Sequence, residues 1–216
     1  MCGAMLGIGK IHSYKLKAMK SERGFTLVEL MVTVIVVAVL AGIVAPSYEQ
    51  FVKDNRLSSQ INSLIGSLHF ARSEATLRRS IVTMCASTDT SSCNTVNWEQ
   101  GWIVFTDASN NGNAVVDGTD ELLRFQEKLD GGNILRTSGF SFATDGQLSF
   151  APTGFMRTGT TSSATAGTFT LCDDRGSEEA RGVILTIAGA SRLAVDENGN
   201  GRRDNHDGGG NSLLCP

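Results

Sequence analysis

Residues 25–45 read FTLVELMVTVIVVAVLAGIVA, 21 consecutive positions in which Glu29 is the only charge and Thr26 and Thr33 are the only hydroxyls. A helix rising about 1.5 Å per residue over that length crosses a hydrocarbon core of roughly 30 Å, so the run is a candidate membrane span. Upstream, Lys10, Lys15, Lys17, Lys20 and Arg23 face a single acid, Glu22. That excess keeps the N-terminus in the cytoplasm and sends the C-terminal bulk across. An ordinary secretory signal has a shorter apolar core followed by a small-residue cleavage site. Here the small residue, Gly24, comes before the apolar run. A carboxylate at membrane depth costs at least about 2.5 kcal/mol, which makes Glu29 a candidate functional residue. The alternative is a plain signal anchor whose Glu29 snorkels to the interface.

A basic leader ending in glycine, then FTLVEL, then an apolar helix, resembles the N-terminus of type IV pilins and type II secretion pseudopilins. The resemblance implies cleavage after Gly24 by a prepilin peptidase and methylation of the new amino terminus on Phe25. It implies a single-pass subunit stored in the bacterial inner membrane with its C-terminus in the periplasm, then moved into a pilus or pseudopilus with other major and minor pilins. Glu29 would neutralise the Phe25 ammonium of a neighbouring subunit, in keeping with the rule that a buried charge is tolerated chiefly when paired. Translation from Met19 would leave MKSERG, a six-residue leader more typical than 24 residues.

Removing residues 1–24 leaves 192, enough for a helical anchor and one modest domain. The leader holds five basic residues and one acidic, so its loss takes the formal net charge from −3 to −7. An acidic exported part argues against wholesale binding to nucleic acid or anionic membrane. Of five cysteines, Cys2 lies in the leader, and Cys85, Cys93, Cys172 and Cys215 remain. An even set in an oxidising compartment reads as two disulfides. Three pairings are open; proximity favours Cys85 with Cys93, closing CASTDTSSC, and Cys172 with Cys215, pinning the tail, while four buried thiols are the alternative.

Beyond Pro46, Leu57, Ile61, Leu64, Leu68, Ala71 and Ala75 recur at three- and four-residue steps, the pattern of an amphipathic helix laid on a core. Pro46 is expected to bend the axis between the two halves. Arg78 and Arg79 suit the helix C-terminus better than a binding patch. After Arg79 come short apolar or alternating runs at 81–85, 101–106, 121–126, 146–151, 167–172 and 181–187, separated by Gly, Ser, Thr and Asn. They predict a mainly antiparallel sheet packed on the amphipathic helix, an α+β fold. Residues 158–167, TGTTSSATAG, read as a mobile polar loop. The expected organisation is leader 1–24, membrane and assembly helix 25–46, amphipathic helix 47–79, and sheet domain 80–216 with a disulfide-pinned tail.

Within the pilin class the finer resemblance is to minor pilins of the FimT/FimU type and the secretion pseudopilin GspH. It is carried by ARSEATLRRSIVTMC (71–85), WEQGWIVFTDASNNGNAVVDGTDELLRF (98–125), FAPTGF (150–155) and FTLCDDRGSEEARGVILTIAGASRLAV (169–195). It implies a type IV pilin-like fold and a structural subunit for pilus assembly or initiation; the alternatives are a GspH-like pseudopilin and a FimT-like DNA-binding subunit for transformation. Subunits of the last kind carry a late Gly-Arg-x-Arg motif. Here the corresponding place reads GASRLAV, retaining Arg192 without the leading Arg. Arg192, Arg202 and Arg203 are the candidate phosphate contacts, but residues 192–207 hold three positive against four negative charges, and counterion release needs uncompensated cations.

In DENGNGRRDNHD (196–207), Asp196, Asn198, Asn200, Asp204 and Asp207 fall at steps 1, 3, 5, 9 and 12, with Gly201 at step 6 and the Arg202 carbonyl at step 7. An EF-hand-type calcium loop has that spacing, because alternate side chains converge on one ion and glycine permits the turn. An Asx-rich turn without metal is the equal alternative. A weaker echo at Asp107, Ser109, Asn111, Gly112 and Asn113 ends on Gly118 and reads as a turn. No cofactor is required by any of these patterns. His12, His69 and His206 lie in separate segments, so no nucleophile–base pair or metal triad can be argued, and a structural rather than enzymatic role is expected.

Overall fold

The computed structural model describes residues 24–108, 112–141, 146–157, 164–207 and 211–216, with the side chains of 43–46 set aside. Leader residues 1–23, Ser109 and Asn111 of the weaker echo, 158–163 of the polar loop, and the side-chain packing of the bend expected at Pro46 fall outside the described residues. The chain divides into two units, Met1–Ser47 and Tyr48–Pro216. One helix, α1 (Leu27–Arg78), contributes to both.

In the second unit α1 buries the stripe its sequence spells. Leu57, Leu64, Leu68, Ala71 and Ala75 are at most 1% exposed and Ile61 is 4%. Burying each leucine contributes about 1.5–3 kcal/mol. Ser67 lies on the same face: its hydroxyl donates to the Ser63 carbonyl at 2.9 Å and accepts the Trp102 indole N–H at 3.0 Å, so the polar end of a fully buried tryptophan is satisfied from the helix. The helix ends where Arg79 takes a left-handed φ of 54°. Arg78 pairs with Glu74 one turn back and with Glu121, both at 2.6 Å.

The strands form two antiparallel sheets. β1 (Ile81–Ala86), β2 (Trp102–Asp107), β3 (Leu122–Gln126), β5 (Leu148–Phe150) and β6 (Met156–Arg157) are ordered β3-β2-β1-β5-β6, and β4 (Ile134–Ser138), β7 (Gly167–Cys172), β8 (Arg181–Leu185) and β9 (Ser191–Leu193) are ordered β4-β7-β8-β9. The sequence pattern leads to one sheet, and the structure divides it; β4, β6 and β9 lie outside the apolar runs because they are short or half-exposed. Both sheets turn one face to α1: Val82, Met84, Trp102, Val104, Phe150, Phe169, Leu171, Val183 and Leu185 share a core with its stripe. Trp98 and Phe169 meet edge-to-face, centroids 4.9 Å apart.

β1 and β2 are buried on both faces. Their outer face carries a second small core of Cys85, Ile103 and Phe105 under Cys93, Ala114 and Val116, held by the Cys85–Cys93 disulfide. A third surrounds the Cys172–Cys215 disulfide, with Ala180, Ile184, Ala194 and Leu213. Between the 3-10 turn Trp98–Gln100 and β2, Gly101 has φ 120°, and a side chain there would run into the Gln126 and Ser87 carbonyls.

Candidate functional site

The N-terminal segment starts without regular structure at Gly24, Phe25 and Thr26 and turns helical at Leu27. Thr26 is the cap: its Oγ1 accepts the Glu29 amide N–H at 3.2 Å and its carbonyl accepts from Leu30 at 3.1 Å. Glu29 therefore sits in the first turn, where the positive end of the peptide dipoles favours an anion. A Cβ built on Gly24 meets nothing within 4 Å, and Gly24 is not among the positive-φ glycines, so folding does not demand glycine there. Phe25 is 82% exposed, and Leu27, Val28, Leu30, Met31, Val32 and the large apolar side chains that follow to Leu40 are at least half exposed. By length and composition the segment is long and apolar enough to cross a membrane.

The tail gathers some of the predicted calcium ligands and not others. Asp196 accepts the amides of Gly199 (2.7 Å), Asn200 (3.2 Å) and Gly201 (2.8 Å). Asp204, 1% exposed, accepts the Glu197 amide at 2.9 Å and the Asn198 side-chain amide at 3.2 Å. Asn198 and Asn200 accept the amides of Asn200 and Arg202 at 2.9 and 2.8 Å, which are Asx turns. Asp207 faces His206 at 3.1 Å instead. Among the described residues no group of three His, Cys, Asp or Glu side chains is arranged to hold a metal ion. His206 is held by Thr168, whose hydroxyl lies 3.0 Å from Nδ1 and accepts the His206 amide at 2.9 Å. His69 is exposed on α1 with Nε2 at 3.2 Å from the Ser191 hydroxyl.

The three candidate DNA-contacting arginines each have protein partners. Arg192 lies 3.3 Å from Glu197, Arg202 lies 3.7 Å from Glu178, and Arg203 donates to the Ala180 carbonyl at 2.9 Å. Two features escape sequence reasoning. Arg181, on β8, joins Arg203 in lining a cavity of about 160 Å³ against α1. Asp89 organises the Cys85–Cys93 loop, accepting the Ser91 and Ser92 amides, both at 2.8 Å, and the Asn94 side-chain amide at 2.8 Å. Its spacing to those serines matches an Asx turn, the one signal that marks it beforehand.

The family model of type II transport protein GspH matches residues 60–189, and that of the prokaryotic N-terminal methylation motif matches residues 19–45. No curated protein matches the chain. Among solved structures, the type IV minor pilin FimU of Pseudomonas aeruginosa strain PAO1 is 20% identical, with 67% of this chain and 92% of FimU covered and a TM-score of 0.47. The minor pseudopilin EpsH of the Vibrio cholerae type 2 secretion system is 14% identical, with 64% and 95% covered and a TM-score of 0.42. With the methylation motif over the apolar helix and the GspH region over helix and sheets, the chain belongs to the GspH family and is a structural subunit of the minor pilin and pseudopilin type.

Proposed function

We propose that the chain is a minor type IV pilin, cut after Gly24, methylated on Phe25, held in the inner membrane with its C-terminus periplasmic, and then incorporated into a pilus with other major and minor pilins. The observation that carries this reading is the contrast along α1. Its stripe from Leu57 to Ala75 is covered by the chain's own sheets, whereas the side chains from Leu27 to Leu40 are exposed. An apolar surface of that extent takes its cover from lipid or from other helices. Gly24, which local packing does not require, is then selected by the peptidase, and Glu29 meets the Phe25 amine of a neighbour. Mass spectrometry of the mature chain tests the processing: the reading expects an N-terminal methylated Phe25, and retention of residues 19–24 would end it.

The family description favours a second reading, a pseudopilus subunit of type II secretion. Deleting the gene distinguishes the two: loss of surface pili with normal protein export supports the pilus, and the converse supports the secretion system. DNA binding forms no part of the proposal, because Arg192, Arg202 and Arg203 are engaged within the chain. For the tail we infer a hydrogen-bonded staple that needs no calcium, since Asp196 and Asp204 already accept protein donors.

A further inference from the structure

The cavity between α1 and the second sheet is lined by Ser58 and Asn62 from the helix, Arg181 and Gly182 from β8, and Arg203 from the tail. Two guanidiniums thus face one small space. Arg181 Nε is buried and has no hydrogen-bond partner among the described residues. A donor on a charged group left in that condition is costly, so Arg181 is incompletely paired within the chain. Arg203 spends one N–H on the Ala180 carbonyl. Burial first, then the charge of Arg181, pushes the Arg203 guanidinium below its ordinary value, while Glu179 and Asp54 oppose this through space. Asp54 is itself held by Arg175 at 2.9 Å. Among the described residues neither Arg181 nor Arg203 has a carboxylate within salt-bridge distance, and Ser58 and Asn62 line the same space.

We propose that this cavity is a binding site for a single oxyanion, a carboxylate or phosphate group held by Arg181 and Arg203. Guanidinium suits both, because its planar fork gives paired N–H bonds to two oxygens of one group. A polyanion is disfavoured: Glu178, Glu179, Asp173 and Asp174 stand on the segment leading into β8 and repel extended negative charge while leaving room for one group. The oxyanion comes either from solution as phosphate or from an acidic side chain of a neighbouring subunit, and only the second source rests on the pilin reading.

The test uses the full processed chain in detergent micelles, with sodium phosphate, sodium acetate or sodium chloride at constant ionic strength. Phosphate is expected to raise Tm in proportion to the logarithm of its concentration above Kd, by about 3 °C at ten times its Kd. Arg181→Gln and, separately, Arg203→Gln should remove that rise, and Arg124→Gln, on β3 of the other sheet and outside the cavity lining, should retain it. Two variants are used because either alone could lose its fold, which circular dichroism would reveal. Absence of a rise in the wild-type chain, or an equal rise in both folded cavity variants, overturns the site. The source is read from sheared filaments. Folded Arg181→Gln with fewer copies incorporated, together with an acetate response in the wild type, assigns a neighbour's carboxylate; normal incorporation with a lost phosphate response assigns the free anion. Retention of residues 19–24 on the mature chain would remove the pilin reading and leave the phosphate result standing.

Discussion

Thr26 Oγ1 accepts the main-chain N–H of Glu29 at 3.2 Å, so the start of α1 is capped through the Glu29 backbone and not through its carboxylate. Among the described residues the carboxylate has no hydrogen-bond or ion-pair partner, which suits a role outside the chain. The cap also makes the residue safe to mutate, because every residue but proline keeps at position 29 the N–H that Thr26 accepts.

Glu29→Ala should therefore preserve helix content, membrane insertion and cleavage after Gly24, and should lower incorporation into filaments at least tenfold, since an unpaired ammonium in an apolar bundle costs well over about 1.4 kcal/mol. Immunoblots of membranes and of sheared filaments read the two fractions. Incorporation at wild-type levels would rule out the pairing.

The two disulfides should contribute unequally. Cys85–Cys93 closes 8 residues and Cys172–Cys215 closes 43. Loop entropy gives about 2.5 kcal/mol for the first and about 4 kcal/mol for the second. Replacing both Cys172 and Cys215 by serine should lower the denaturation midpoint more than the same change at Cys85 and Cys93. Equal midpoints would show that packing around the bridges, not chain closure, sets their contribution.

Asp89 should make the domain acid-sensitive within a narrow window. The Ser91 amide, first, holds its carboxyl down to about 2 from the usual 3.8; burial opposes, and the Ser92 amide and both serine hydroxyls assist. A folded value below the unfolded one means the stabilisation is complete above about pH 4 and is lost as pH falls toward 2. Melting temperature should fall across that interval in the wild type and fall less steeply in Asp89→Asn. Parallel profiles would place the acid sensitivity elsewhere.

Chelation should have no effect on stability. Asp196 accepts three amides and Asp204 two donors from the protein itself. The expected result is the same melting temperature in EDTA and in millimolar calcium. A drop in EDTA that calcium restores would reassign the loop to a metal by linkage.

Local periodicity made the helix legible. Leu57, Ile61, Leu64, Leu68, Ala71 and Ala75 face one way on any α-helix, so their burial follows from spacing once a sheet exists to cover them. Glu29 stood out for a similar reason: one charge in an apolar run is visible without knowing any contact. β1, β2 and β7 were legible as apolar runs because they are covered on both faces.

Other features depend on where distant segments meet, and one-dimensional pattern carries no such information. The division into two sheets turns on β1 pairing with β5 while β4 pairs with β7, a choice among edges that Ile134–Ser138, with Arg136 and Thr137 half-buried, does not announce. In the tail, equal spacing placed Asp204 and Asp207 on the same footing; the fold buries Asp204 against Glu197 and turns Asp207 toward His206. Arg181 belongs to no motif, Arg203 stood out only for its charge in the tail, and the two come together only because β8 and the tail close over α1. Sequence alone settled which residues form the helix and which end of it is apolar throughout, since hydrophobic transfer and helical period act residue by residue. Which charges share a cavity was decided by tertiary packing, because electrostatic pairing acts through space between segments that the chain order leaves apart.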